Sequence, residues 1–397
     1  GNNYRIAIAL EKQHNPLSEA QKAAKTTWEG IEKGRGLDQK KADEEIKASE
    51  RVLRSGWLVY GPENRAFEEE LAAACGKRFC VTVSSGTAAL HLGLLAQKLP
   101  LTSILSPALT FPATANVANF LPTPPQVHLA DVDADTFCLR KETVQAWLDA
   151  RRGPALVVHQ FGYPSPLPVR NDDLLISDAA CAIAVRPAMG GKLACLSFHP
   201  RKLLTTGEGG AILTDDEQLC ETLRRLRAHG LTSVPGEEVM ELPASGLNYR
   251  LSEPAAAIGR VQLRRLPQLV KKHRELAEQY LRNLADTGLG FQADHPDRIW
   301  QTFAVVLPEG VNRPSLRAKL KEAGIETQIA SYGLHRLAAF RNAPCFSETG
   351  GPSALAVSDR LHDRGLALPL HSELSAADVH RVCQELKKAL SLPEVCA

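Results

Sequence analysis

The chain has 397 residues, 44% hydrophobic and 23% charged, a globular composition that excludes a disordered or fibrous protein. Lys and Arg number 47 against 45 Asp and Glu, and this near-balance, without a long run of one sign, excludes the electrostatic footprint of a nucleic-acid binder or of a protein held on an acidic membrane. The expected partners are small molecules and a second copy of the chain.

A core rarely grows to this length without splitting, so a large domain with a smaller companion is expected. Residues 17–54 carry apolar residues at helical spacing, and "EGIEKGRGLDQ" breaks them into two helices. We assign residues 1–41 to an N-terminal helical arm. The first residues lack the apolar stretch and cleavage site of a signal peptide, and no run of about 18 apolar residues occurs, so no membrane association is expected. The nine cysteines are scattered without the close CxxC pairs of a zinc or redox site, which points to a reduced, cytoplasmic setting.

"NRAFEEELAAACGK" (64–77) reads as an amphipathic helix with Phe67, Leu71 and Ala74 on one stripe and Gly76 closing it. The period then changes. "FCVTVS", "SILSPA", "QVHLADV", "ALVVHQ", "DLLISDAA", "LACLSF" and "GAILTD" are short continuous apolar runs, the first two separated by the helical "TAALHLGLLAQKL". Such runs alternating with helices predict an α/β fold around a mostly parallel sheet buried on both faces, here the large domain of residues 42–262. "SEPAAAIGRVQLRRLPQLVKKHRELAEQYLRNL" (252–284) predicts a long helical stretch interrupted at Pro267. Residues 263–397 mix strands ("WQTFAVVL") and helices ("SLRAKLKEAG", "SAADVHRVCQELKKAL") as a smaller C-terminal α/β domain.

Ligands of open parallel sheets bind beyond the carboxyl ends of the strands, so polar residues directly after the apolar runs are the candidates. Ser85, Gly86 and Thr87 follow "FCVTV" where a helix begins, and would offer backbone N–H groups and hydroxyls to a phosphate or serve only as a helix cap. Asp178 ends "LLISD" as either a helix cap or a buried anion awaiting a cation. His159 ends "ALVVH", to stack, to hydrogen-bond or to serve structure alone. In "SFHPRKLLTTGEGG" (197–210), Lys202 follows an apolar strand, with Ser197 before it and Gly207, Gly209 and Gly210 permitting close backbone approach. A lysine so enclosed suits Schiff-base chemistry. Pyridoxal phosphate needs an imine lysine, an anion pocket and a carboxylate for the pyridine nitrogen. Lys202, the Ser85-Gly86-Thr87 and Ser197 set, and Asp178 supply all three.

"SGWLVYGPE", "SSGTAALHLGLLA", "LTFPATANV", "DVDADTF", "HQFGYP", "DAACA", "SFHPRKLLTTGEGGAILTDD", "LRAHG" and "LNYRLSEPAAAIGRVQLRRL" together resemble the DegT/DnrJ/StrS sugar aminotransferases, within the fold type I pyridoxal phosphate enzymes. The resemblance runs from about residue 43 to residue 390, and it implies a seven-stranded, mostly parallel sheet. By it, Lys202 is the Schiff-base lysine and proton relay, Asp178 pairs with the pyridinium nitrogen, and Gly86, Thr87 and Ser197 hold the phosphate beside Ser85. Phe111 corresponds to the aromatic stacked on the ring, with an ordinary core phenylalanine as the alternative. Asn248 matches an asparagine that reaches the phosphate from a neighbouring subunit, implying a homodimer with shared sites, and Arg250 would stand at that interface.

Two positions depart from the family's pattern. Cys181 stands where Gln is common, beside the ring, and Tyr60 replaces a small hydroxyl residue at a substrate contact. Tyr60, His159, Arg250 and His335, the last in "YGLHRLAAF", are the candidate substrate contacts. The implied reaction moves an amino group from an amino acid, glutamate, to a keto-sugar, nucleotide-linked. The alternatives are a non-catalytic, regulatory homologue that keeps the cofactor and a sugar dehydratase, the latter disfavoured because deoxygenating relatives carry histidine at the lysine position. A nucleotide hydrolase lacks its G-x-x-x-x-G-K-[ST] stretch.

Overall fold

Seven of the apolar runs form strands of one sheet. The structure, a computed structural model, describes residues 39–97, 101–167, 173–233, 240–243, 245–348 and 355–391. The first helix expected in the arm lies outside the described residues; the second is α1 (Gln39–Ser55). Then follow α2 (Pro62–Cys75), β1 (Phe79–Val83), α3 (Gly86–Leu95), β2 (Ser103–Pro107), β3 (Gln126–Ala130), α4 (Lys141–Asp149), β4 (Ala155–Val158), β5 (Leu175–Asp178), β6 (Leu193–Ser197) and β7 (Gly210–Thr214). Gly76 ends α2 in the left-handed conformation at φ 68°, as its position after the apolar stripe predicts.

The seven-stranded sheet has the order β1-β7-β6-β5-β4-β2-β3. β7 runs antiparallel to both neighbours and every other pair is parallel. Alternate residues feed two apolar layers: Leu193 and Cys195 of β6 join Leu90, Leu92 and Leu223 on one face, while Ala194 and Leu196 join Phe67, Leu71 and Leu263 on the other. Both faces are therefore covered, which is why these strands read as unbroken apolar runs.

Pro267 does not interrupt its helix. After α5 (Glu217–Arg227), α6 runs unbroken from Glu253 to Leu284 with Pro267 inside. Its first half buries Leu263 and Leu266 against the large sheet's core, and its second half buries Leu276, Tyr280 and Leu284 in another. At roughly 1.5–3 kcal/mol for each buried leucine, this packing exceeds the ~3 kcal/mol that an internal proline costs.

The second core lies under a four-stranded antiparallel sheet in which β8 (Phe303–Val306) and β9 (Gly365–Leu368) are central, with α7 (Arg313–Glu322) and α9 (Ala376–Ser391) packed on it. Between them α8 spans Ala356–Arg364, and residues 48–397 form one compact unit. Among the described residues no helix is long and apolar enough to cross a membrane.

Candidate active site

The parallel register brings the carboxyl ends of β4, β5 and β6 together, with Val158 opposite Asp178 and Asp178 opposite Cys195. Because β7 is antiparallel, its first residue, Gly210, pairs with both Val83 and Ser197. The turn from β1 into α3 therefore lies against the end of β6. Ser85 is extended (φ −166°, ψ 164°) and its Oγ accepts from Ala88 N at 3.0 Å, capping α3. A Cβ on Gly86 would lie 2.7 Å from Ser197 Cβ, and one on Gly210 would lie 2.6 Å from the Ser85 carbonyl. These glycines let two backbones touch, and the contact sets Ser197 beside the N-terminus of α3. The free amides and the dipole at that helix N-terminus, with Thr87 in its first turn and Ser197 beside it, suit an anion.

Asp178 closes β5 with 6% of its surface exposed. Its Oδ2 accepts from Thr114 Oγ1 at 2.8 Å and its Oδ1 from Ala180 N at 3.1 Å. Burial pushes its carboxyl above the usual carboxylate range, opposed by those hydrogen bonds and by Lys202. A buried anion of this kind favours a cationic ligand group. Lys202 lies in the loop after β6, its backbone N donating to His199 O at 2.8 Å, and its Nζ donates to Cys181 Sγ at 3.2 Å. Gln301 braces the loop: Oε1 accepts from Leu203 N at 2.8 Å and Nε2 donates to Arg201 O at 2.7 Å.

Phe111 is 56% exposed with its ring edge-on to Tyr332 at 6.0 Å, so the core alternative does not hold. It is tied to Asp178 through Thr110 Oγ1, Thr114 Oγ1 and the carboxylate, at 3.0 and 2.8 Å. Asn248 is exposed and its Oδ1 accepts from Arg250 Nε at 3.0 Å, while Ser84 N donates to Tyr249 O at 2.8 Å, which sets this segment beside the end of β1.

The remaining candidates are not open in the same way. His159 is wholly buried, its Nδ1 accepting from Ser165 N at 2.9 Å, and burial pushes its pKa down to about 3, so it stands as a neutral ring behind the site. The Tyr60 hydroxyl donates to Glu68 Oε2 at 2.9 Å, with the Arg227 guanidinium 4.1 Å from its ring centre; burial, with Glu68 beside it, raises the hydroxyl's pKa. Its polar end is engaged by a buried ion pair, Arg227 to Glu68 at 2.6 Å. His335 Nε2 lies 2.9 Å from Asp359 Oδ1, on the turn after Tyr332–Gly333, which pairs with Leu109–Thr110 just before Phe111. Burial works against ionisation of Asp359, yet the His335 and Arg336 hydrogen bonds hold its carboxyl below the usual range.

Thr114 and Gln301 are not candidates on sequence alone. Thr114 lies in "LTFPATANV", three residues after Phe111, and Gln301 in "WQTFAVVL", where it reads only as part of a strand.

A family model described as the DegT/DnrJ/EryC1/StrS aminotransferase family matches residues 39–387. The chain belongs to this family. It is an aminotransferase, and its fold is that of the fold type I pyridoxal phosphate enzymes. It is similar to DesI, solved in the presence of its TDP-sugar product, at 30% identity and a TM-score of 0.76 over 88% of this chain and 90% of that one. It is similar to DesV from S. venezuelae, solved with a ketimine intermediate, at 26% identity and a TM-score of 0.75, covering 90% and 96% of the two chains. In fold it is also similar to Spr1654 from Streptococcus pneumoniae in its PLP form, at 22% identity and a TM-score of 0.75, covering 88% and 96%. Pyridoxal 5′-phosphate is the cofactor of this fold, and the residues gathered here fit it: a buried carboxylate, a cradle that a single Cβ would fill, an exposed ring and a half-buried amine.

Proposed function

We propose that this aminotransferase moves an amino group from an amino acid, glutamate, to the ketone of a sugar carried on a nucleotide. The observation that carries the reading is the buried Asp178 carboxylate together with the Lys202 amine, which rests 3.2 Å from the sulfur of Cys181, three residues after Asp178 in the chain. DesI, with its TDP-sugar product, supports the sugar and its nucleotide.

Bound pyridoxal phosphate supplies a carbonyl for amines and a ring that accepts electron density. Everything else falls to the chain. The α3 amides with Ser85, Gly86, Thr87 and Ser197 bind the phosphate. Asp178, made rigid by Thr114 and Ala180, would hold a proton on the ring nitrogen. Phe111 would stack on the ring, and Cys181 would stand beside it. Lys202 Nζ takes a proton from the donor's α-carbon and returns one to the acceptor, general acid–base help typically worth about 10²–10⁴-fold.

A homodimer is part of this reading, in which the partner subunit's Asn248 reaches the phosphate and the partner subunit's Arg250 steadies it. Of the four candidate substrate contacts, His335, on the turn after the Tyr332–Gly333 pairing with Leu109–Thr110, is the one assigned to the acceptor. Residues 42–262 then act as the cofactor-binding domain and 263–397 as the smaller domain, spanned by α6, with residues 1–41 as an arm. A cytoplasmic site of action accords with the free cysteines among the described residues, six of the eight buried, and a part in polysaccharide building belongs to the same reading. The test is direct: purified protein mixed with pyridoxal phosphate gains visible absorbance, and glutamate bleaches it. No absorbance change with any amino donor would overturn the reading.

A further inference from the structure

The proposed chemistry leaves the Cys181 sulfur without a task of its own. Among the described cysteines, Cys75, Cys80, Cys138, Cys195, Cys220 and Cys383 are buried and Cys345 is exposed. Desolvation pushes Cys75 up to about 11 and Cys138 up to about 12, which keeps them as unreactive thiols. Cys181 is different in kind. It is only half-buried, and an amine, Lys202 Nζ, stands 3.2 Å from its sulfur. The contact is held from both sides: Cys181 follows the anchored Asp178, and Gln301 fixes the backbone of Arg201 and Leu203 around Lys202. A nitrogen nucleophile kept at that distance is placed to attack the sulfur once it is oxidised.

We propose that Cys181 and Lys202 are a peroxide-sensitive modification site, joined by a sulfur–nitrogen bond when the cofactor is absent. In the first step the thiol sulfur attacks a peroxide oxygen. The O–O bond breaks, sulfur loses two electrons to the peroxide, water leaves and a sulfenic acid remains. In the second the Lys202 amine attacks that sulfur, the S–O bond breaks, and the hydroxyl departs with an amine proton as a second water. Two equivalents of a small thiol reverse the change, returning thiol and amine and leaving a disulfide of the reductant. The bearing on activity rests on the pyridoxal phosphate reading of Lys202: an amine bound to sulfur cannot condense with a carbonyl, so the linked chain is closed to cofactor, and a loaded chain is protected.

The test uses the full chain, treated with hydroxylamine and dialysed to remove cofactor, exposed to hydrogen peroxide and mapped by peptide mass. The expected result is the Cys181 and Lys202 peptides joined, about two mass units below their sum. Dithiothreitol should separate them, and neither Cys181→Ser nor Lys202→Arg should form the link. Uptake of pyridoxal phosphate by the linked chain should fall at least tenfold and return after dithiothreitol. Cys181 found as sulfinic or sulfonic acid, or unmodified, with the Lys202 peptide free, overturns the proposal. If a variant does not fold, the wild-type map decides alone. Should untreated protein take up no pyridoxal phosphate, the functional reading fails, and the presence or absence of the linked peptide still decides this one.

Discussion

Thr114 donates its hydroxyl to the buried carboxylate of Asp178 at 2.8 Å, and so fixes the one anion at the centre of the strand ends. Burial raises the Asp178 pKa, so in the cofactor-free chain the folded state holds that proton more tightly than the unfolded state. A raised carboxyl contributes stability that is complete below its unfolded pKa and is lost as pH rises through its folded pKa. Asp178→Asn removes this loss. The cofactor-free variant should be more stable than wild type near neutral pH, by about 1 kcal/mol, with the difference vanishing in acid, while amino transfer is abolished. Thermal unfolding over a pH series checks this; equal pH profiles for the two proteins would refute it.

Gly86→Ala asks whether the cradle depends on close backbone approach. The added Cβ would stand 2.7 Å from Ser197 Cβ and 3.2 Å from its Cα, so backbone must shift. Pyridoxal phosphate affinity should fall at least tenfold, about 1.4 kcal/mol, as read by titration of visible absorbance.

Tyr60→Phe distinguishes a substrate contact from a structural one. With the hydroxyl committed to Glu68, the variant should lose about 1 kcal/mol of stability and keep its KM for the sugar acceptor. A raised KM with unchanged stability would return Tyr60 to the substrate pocket.

Glu253 at the start of α6 accepts from Gly61 N at 2.6 Å, Glu63 N at 2.8 Å and Asn64 N at 3.0 Å, closing the first turn of α2. Glu253→Ala strands these buried donors. A loss of about 3 kcal/mol is expected, since each unsatisfied group costs roughly 1–3 kcal/mol, seen as a lower urea midpoint. Absorbance of the cofactor-loaded protein below the transition should not change.

The seven strands were legible because a sheet covered on both faces demands continuous apolar runs; Asp178 stood out as the polar residue that ends one, and Lys202 as the amine in the glycine-rich loop after another. The direction of β7 was not. It returns after a loop without a helix, so it lies antiparallel to β6, and no local pattern encodes that. Pro267 misled for a related reason: local propensity predicts a break, whereas two separate cores hold the halves of α6 in line. Gln301 and the Glu68–Arg227 pair were illegible because each meets its partner only through the fold, far along the chain.

The central claim is that Lys202 carries the cofactor and the proton. Wild-type protein loaded with pyridoxal phosphate, reduced with borohydride and digested should yield a phosphopyridoxyl group on the Lys202 peptide and on no other. Lys202→Ala should fold, remain unlabelled and transfer amino groups at least about 10³-fold more slowly. A label on a different lysine, or transfer by Lys202→Ala at the wild-type rate, would contradict the account.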